Sequence, residues 1–187
     1  MSSRGSAVTN RRHRDQPPPG GAADVDPDAD PESVARAIVL RRLSAAPRTR
    51  AQLTTDLERR GVPSEVSQRV LDRFSEVGLV DDAAFANSWV RSRQINRGLS
   101  RRALAHELRQ RGVADDVLAV AVADVGDDDE HNAAAALVAK RLPSLRGLDR
   151  QVQIRRLAGM LARKGYSSAL AMQVVREALR EATPANC

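Results

Sequence analysis

The chain has 187 residues, 42% of them hydrophobic and 2% aromatic, with a net charge of +6 and an isoelectric point near 10.7. That length allows one domain, or a few small repeats, around an aliphatic and alanine-rich core. The single cysteine, Cys187, excludes an intramolecular disulfide and a cysteine-based zinc site, and no apolar run is long enough to span a membrane. Lys140 and Lys164 are the only lysines, so arginine supplies nearly all the positive charge. Arginine's planar fork suits phosphates and carboxylates, which makes a polyanion or an acidic protein surface a natural partner. An arginine- and alanine-rich coding bias explains the excess equally well, so composition alone leaves the partner open. Arg4, Arg11, Arg12 and Arg14 precede no apolar segment and do not read as a secretory signal. The expected compartment is a reducing cytoplasm.

Residues 1–32 lack periodicity and include Pro17-Pro18-Pro19-Gly20-Gly21 and the alternating acids Asp24, Asp26, Asp28 and Asp30. Such a stretch cannot bury enough apolar area to offset its ordering entropy and is expected to be a disordered tail. Its acidic run is no calcium loop, because Ala29 and Ala35 stand where that loop needs glycine and glutamate.

From Ser33 onward the pattern is helical and repeats. Leu53, Leu57, Gly61 and Val62 align with Leu104, Leu108, Gly112 and Val113, and again with Leu157, Leu161, Gly165 and Tyr166, at offsets of 51 and 53 residues. Leucines at i and i+4 share one helix face. The glycine stands where a left-handed residue ends that helix, and the next apolar residue makes the contact of a Schellman stop. Ser64, Asp115 and Ser168 then read as N-caps of a following helix. That helix carries apolar residues at Val66, Val70 and Phe74, then Val117, Ala121 and Val125, then Leu170, Val174 and Ala178.

A helix precedes each leucine pair, over roughly 33–46, 82–94 and 129–142. Thr49 and Gln52 form a capping box for the helix that follows the first. Asp81 and Asp82 suit the positive end of the second. Pro143 breaks the third. The fold class is therefore all-α. Three tandem three-helix, helix-turn-helix-like repeats (33–80, 81–128 and 129–187) form an elongated, curved array behind the tail.

Convergent reactive groups are missing from the pattern. No Cys/His pair, nucleophile elbow, phosphate loop or HExxH appears, and His13, His106 and His131 are scattered. The cluster Asp127-Asp128-Asp129-Glu130-His131 reads as a solvated acidic connector before a helix. No catalysis, cofactor or metal is expected.

Charge is uneven. Arg91, Arg93, Arg97, Arg101, Arg102, Arg109 and Arg111 face one acid, Glu107, whereas 112–130 holds seven acids and no base. A DNA-reading helix-turn-helix would send Asp115–Val125 into the major groove, and that helix opens with two aspartates and would be repelled. Arg69 and Arg73, and Arg176 and Arg180, leave the other two copies open to such a role. The seven arginines are the predicted contact surface for a polyanionic or acidic partner.

The string from Leu79 through Asp81, Asp82, Phe85, Trp89, Arg93, Leu104, Leu108, Gly112 and Val113 resembles the RecX family of bacterial regulatory proteins. A looser likeness runs over 34–179. The resemblance implies tandem three-helix repeats and a cytoplasmic modulator, usually an inhibitor, of the RecA recombinase. Such a protein lies in the groove of the RecA–DNA filament and suppresses its ATPase, strand-exchange and co-protease activities in DNA repair and the SOS response. It implies no catalytic residues, and Asp81, Asp82, Phe85, Trp89, Leu104, Leu108 and Gly112 become fold-defining. A monomer is expected, with RecA filaments as partner and single- or double-stranded DNA as a secondary contact. The alternatives are a non-specific DNA-binding repeat module acting on naked DNA, and a purely structural adaptor. On the filament reading, charge reversal of Arg101, Arg102 and Arg109 should weaken inhibition without changing helical content.

Overall fold

A computed structural model describes residues 30–182, and the tail reading for 1–29 and Cys187 falls outside them. Among the described residues every regular element is helical: α1 Pro31–Ala45, α2 Arg50–Glu58, α3 Ser64–Glu76, α4 Asp82–Arg97, α5 Arg101–Gln110, α6 Asp115–Ala123, α7 Asp127–Arg141, α8 Arg150–Arg163 and α9 Ser168–Glu181, with a 3-10 turn at Leu142–Leu145. They fall into three consecutive three-helix repeats, each with its own core. Ile38, Val39, Leu53, Leu57, Leu71 and Phe74 centre the first. Ala86, Val90, Leu104, Leu108 and Leu118 centre the second. Val138, Leu157, Leu161, Tyr166 and Val175 centre the third. The leucine pairs are fully buried in all three copies, as their i, i+4 spacing requires.

The three stops are Schellman motifs. Val62, Val113 and Tyr166 donate their amides to the carbonyls of Leu57, Leu108 and Leu161, and Gly61, Gly112 and Gly165 donate to Glu58, Arg109 and Ala162. Those glycines have φ of 74°, 75° and 90°, in the left-handed region that a side chain resists. The Thr49–Gln52 capping box is present as read.

Several boundaries differ from the sequence reading. α1 starts at Pro31 rather than Ser33, because Asp30 caps it by accepting from the amides of Glu32 and Ser33. α4 runs to Arg97 rather than Gln94, since Gly98 takes a left-handed conformation and closes it. Asp127 and Asp128 lie inside the first turn of α7 rather than in a connector, where the helix dipole favours them. His131 is therefore on α7, with Nε2 2.9 Å from Glu177 on α9. The third helices begin one residue earlier than expected: Pro63, Ala114 and Ser167 occupy the cap positions, and only Ser167 caps with its side chain. Of their expected apolar stripes Val70, Phe74, Ala121, Val125 and Val174 are buried, Val66, Val117, Leu170 and Ala178 are half-buried, and Leu71, Leu118, Ala171 and Val175 join the buried face.

Consecutive repeats meet through thin polar junctions, and the two junctions share one design. At the first, the amide of Arg50, first residue of α2, donates to Asp82 on α4 (2.8 Å), and Thr49 Oγ1 donates to the carbonyl of Arg111 (2.6 Å). At the second, the amide of Arg101, first residue of α5, donates to Glu130 on α7 (2.9 Å), and the amide of Ser100 donates to the carbonyl of Lys164 (3.1 Å). Each time, an acid from the opening of the next repeat satisfies an orphan amide at a helix N-terminus, where the dipole favours negative charge. Tyr166 adds to the second junction by donating its hydroxyl to the carbonyl of Gly98 (3.1 Å), and Lys164 Nζ donates to the carbonyl of Arg97.

Candidate interaction surface

The seven arginines of the middle repeat do not form one free basic face. Trp89, half-buried on α4, organises three of them. Its ring stacks on Phe85 at 5.8 Å, and the guanidiniums of Arg93 and Arg111 lie 4.0 and 3.6 Å from its centroid. Its indole N–H donates to Glu107 (2.9 Å), which also pairs with Arg93 (3.2 Å) and Arg97 (3.5 Å). One carboxylate on α5 thus gathers two arginines and an indole from α4 and ties the helices together. Burial against the ring lowers the Arg111 pKa from its ordinary value, the expected sign for a partly desolvated cation. The guanidinium remains charged, which its position over the ring exploits.

Arg101 pairs with Asp127 and with Glu130 (3.1 Å), and the bond to Asp127 raises its pKa. It belongs to the second junction. Arg109 pairs with Asp115 (2.8 Å) across the turn between α5 and α6. Only Arg91 and Arg102 of the seven are exposed and without an ion pair among the described residues. The acids of 112–130 are therefore, in part, the partners of these arginines, Asp115 on α6 and Asp127 with Glu130 on α7. Charge reversal at Arg101 and Arg109 would also break these pairs.

The fold-defining residues are placed as read for Leu104 and Leu108, which are fully buried, and for Asp81, which caps α4 by accepting from the Ala84 amide (2.8 Å). Phe85 and Trp89 sit at the edge of the core, whose buried floor on α4 is Ala86 and Val90. Asp82 and Gly112 serve the first junction. A Cβ on Gly112 would stand 2.3 Å from Ala51 Cβ, and one on Gly165 would stand 2.5 Å from Ser100 Oγ. Both glycines satisfy a backbone conformation and a close approach together.

Unpaired positive charge concentrates in the third repeat. Arg150, Arg155, Arg156 and Arg163 on α8 find no acid on that helix, and Arg176 and Arg180 on α9 form no ion pair among the described residues. A groove of about 670 Å³ between α8 and α9 is lined by Arg150, Ile154, Met172, Gln173, Arg176 and Arg180. The predicted contact surface lies on the middle repeat, whereas more of the unpaired guanidiniums lie on the third. The α8 helix itself contains no carboxylate. Among the described residues no group of three or more His, Cys, Asp or Glu could hold a metal ion, and no helix is long and apolar enough to cross a membrane.

Three family models match the chain in order: the first three-helix domain of RecX over 35–74, the second over 81–122 and the third over 127–175. The chain is 56% identical over 166 residues to the regulatory protein RecX of Thermobifida fusca, covering 89% of this chain and 88% of that one. It is 46% identical over 176 residues to the regulatory protein RecX of Mycolicibacterium smegmatis, covering 90% and 93%. The crystal structure of RecX from Lactobacillus salivarius superposes with a TM-score of 0.73 at 18% identity, over 79% of this chain and 96% of that one, a likeness of fold.

Proposed function

The chain belongs to the RecX family of regulatory proteins, and from that premise we propose that it binds the RecA recombinase on DNA and restrains it. The observation that carries this reading is the extent of the likeness, which runs through all three repeats and nearly the whole length of relatives named for regulation. The activities affected are strand exchange, ATP hydrolysis and co-protease function in DNA repair and the SOS response, in the cytoplasm. The protein acts as a monomer and contributes no catalytic group. A row of repeats offers a long surface that bridges several subunits of a helical polymer, so that many weak contacts add through avidity. Arg91 and Arg102 present free guanidiniums on the middle repeat, and the third repeat presents more, suited to the carboxylates of the polymer and the phosphates within it. Contact with DNA is secondary.

The test is DNA-dependent ATP hydrolysis and strand exchange by RecA with the full chain titrated in. Both should fall at substoichiometric to equimolar chain, and unchanged rates would overturn the reading. Action on naked DNA separates on affinity for bare against RecA-coated single strands across a salt series. Equal affinity with a slope of about −0.7 per phosphate contact would favour it.

A further inference from the structure

The junction between repeats recurs, and the third repeat carries the same place with no further repeat seated on it among the described residues. Aligned on the leucine pair and glycine, Ile154 on α8 corresponds to Arg50 and Arg101, the first residues of α2 and α5. Those two receive the acidic opening of the next repeat, Asp82 on the first and Asp127 with Glu130 on the second. Around Ile154 lies the groove between α8 and α9.

Its chemistry is inverted relative to the filled junctions. Arg176 stands where the first repeat has Asp72, the partner of Arg50, and Arg180 stands where Asp127 pairs with Arg101. α8 also begins one turn earlier than its counterparts, so Ile154 lies inside the helix and its amide is committed to the helical ladder. Arg150 on that extra turn, with Arg176 and Arg180, replaces the lost amide as a set of donors. Hydrogen bonds from Gln173 and His131 keep the Glu177 carboxyl low, with Arg180 a smaller influence that forms no ion pair with it. Ile154 and Met172 form an apolar floor between the guanidiniums.

The small residue that meets the glycine turn at each filled junction has no counterpart here. Where Ala51 and Ala103 face the closely packed turns of Gly112 and Gly165, α8 carries Arg155 and Arg156. The Gly61 turn of a second copy would meet those side chains rather than a methyl group. A phosphate backbone would use the guanidiniums and leave the apolar floor uncovered. The precedent at both filled junctions is a helix that opens on acids and continues apolar, as Asp81-Asp82 leads to Phe85 and Ala86. We propose that the α8–α9 groove is a docking site for the acidic first turn of an amphipathic helix supplied by a partner protein. The inference does not depend on RecA being that partner.

The experiment uses the full chain and, as probe, a fluorescein-labelled peptide of the chain's own residues 126–138, read by anisotropy. Saturable one-to-one binding is expected. It should weaken about tenfold in Arg150→Gln/Arg176→Gln/Arg180→Gln, three exposed charge pairs being lost together. Met172→Asp should weaken it too, Arg91→Gln/Arg102→Gln should not, and a peptide with its four acids made Asn or Gln should not bind. Circular dichroism checks each variant, and Arg176→Gln alone reports if the triple change unfolds. Equal binding of the neutral peptide, or an affinity indifferent to the triple variant, overturns the proposal. So does an oligo-dT strand that competes with the peptide and shows the same arginine dependence, or self-association of the chain that the triple variant abolishes.

Discussion

The three Schellman glycines allow backbone strain to be separated from junction packing. Gly61, Gly112 and Gly165 share a left-handed conformation, so alanine at any of them costs about 1–2 kcal/mol in strain. At Gly61 nothing lies within 4 Å of the added methyl, and that cost should be the whole effect. At Gly112 the methyl would stand 2.3 Å from Ala51 Cβ, against about 3.5–4.0 Å for an ordinary carbon contact. The turn must retreat by more than about 1 Å, which carries the 2.6 Å Thr49–Arg111 bond out of reach. Overpacking costs about 1–3 kcal/mol and the lost hydrogen bond about 1 kcal/mol. Gly112→Ala should thus lose roughly 3–6 kcal/mol, and Gly165→Ala a similar amount through Ser100 and Ala103. Urea unfolding followed by far-ultraviolet circular dichroism measures the difference. Because each repeat has its own core, the two junction variants should also broaden the transition as neighbours uncouple. Equal midpoints for all three alanine variants would refute the role given to the close approach.

Glu107→Ala removes the acceptor of the indole N–H together with two guanidinium partners, and should cost about 1–2 kcal/mol. The emission of Trp89, the one tryptophan of the chain, should change with it, and an unaltered spectrum would count against the Glu107 hub. Burial raises the pKa of Tyr166, the one tyrosine, from 10 to about 12. The neutral phenol's contribution is therefore complete below pH 10 and is lost as pH rises towards 12. Phenolate absorbance with a midpoint near 10 in the folded protein would contradict the buried hydroxyl. Arg101→Glu sets a third carboxylate against Asp127 and Glu130 and should destabilise by about 1–3 kcal/mol after solvent screening, whereas Arg91→Glu and Arg102→Glu should each stay within about 0.5 kcal/mol. Indistinguishable denaturation midpoints would remove Arg101 from the second junction.

The sequence by itself determined the repeat, because its signals are local. Leucines four apart, a glycine that must take positive φ and the capping box at Thr49 act within one or two helical turns, and each is found where it was read. The RecX likeness rests on that same local template. Errors of one to three residues fell at helix ends, where Asp30 and Gly98 set boundaries that hydrophobic periodicity does not mark. Only the tertiary structure decided which charges are free. Arg101 is 26 and 29 residues from Asp127 and Glu130, and Arg93 lies on a different helix from Glu107, so no local pattern pairs them. Of the run of arginines, Arg93, Arg97 and Arg109 are neutralised within the repeat and Arg101 across a junction. α8 has no acid of its own, and its arginines form no ion pair among the described residues.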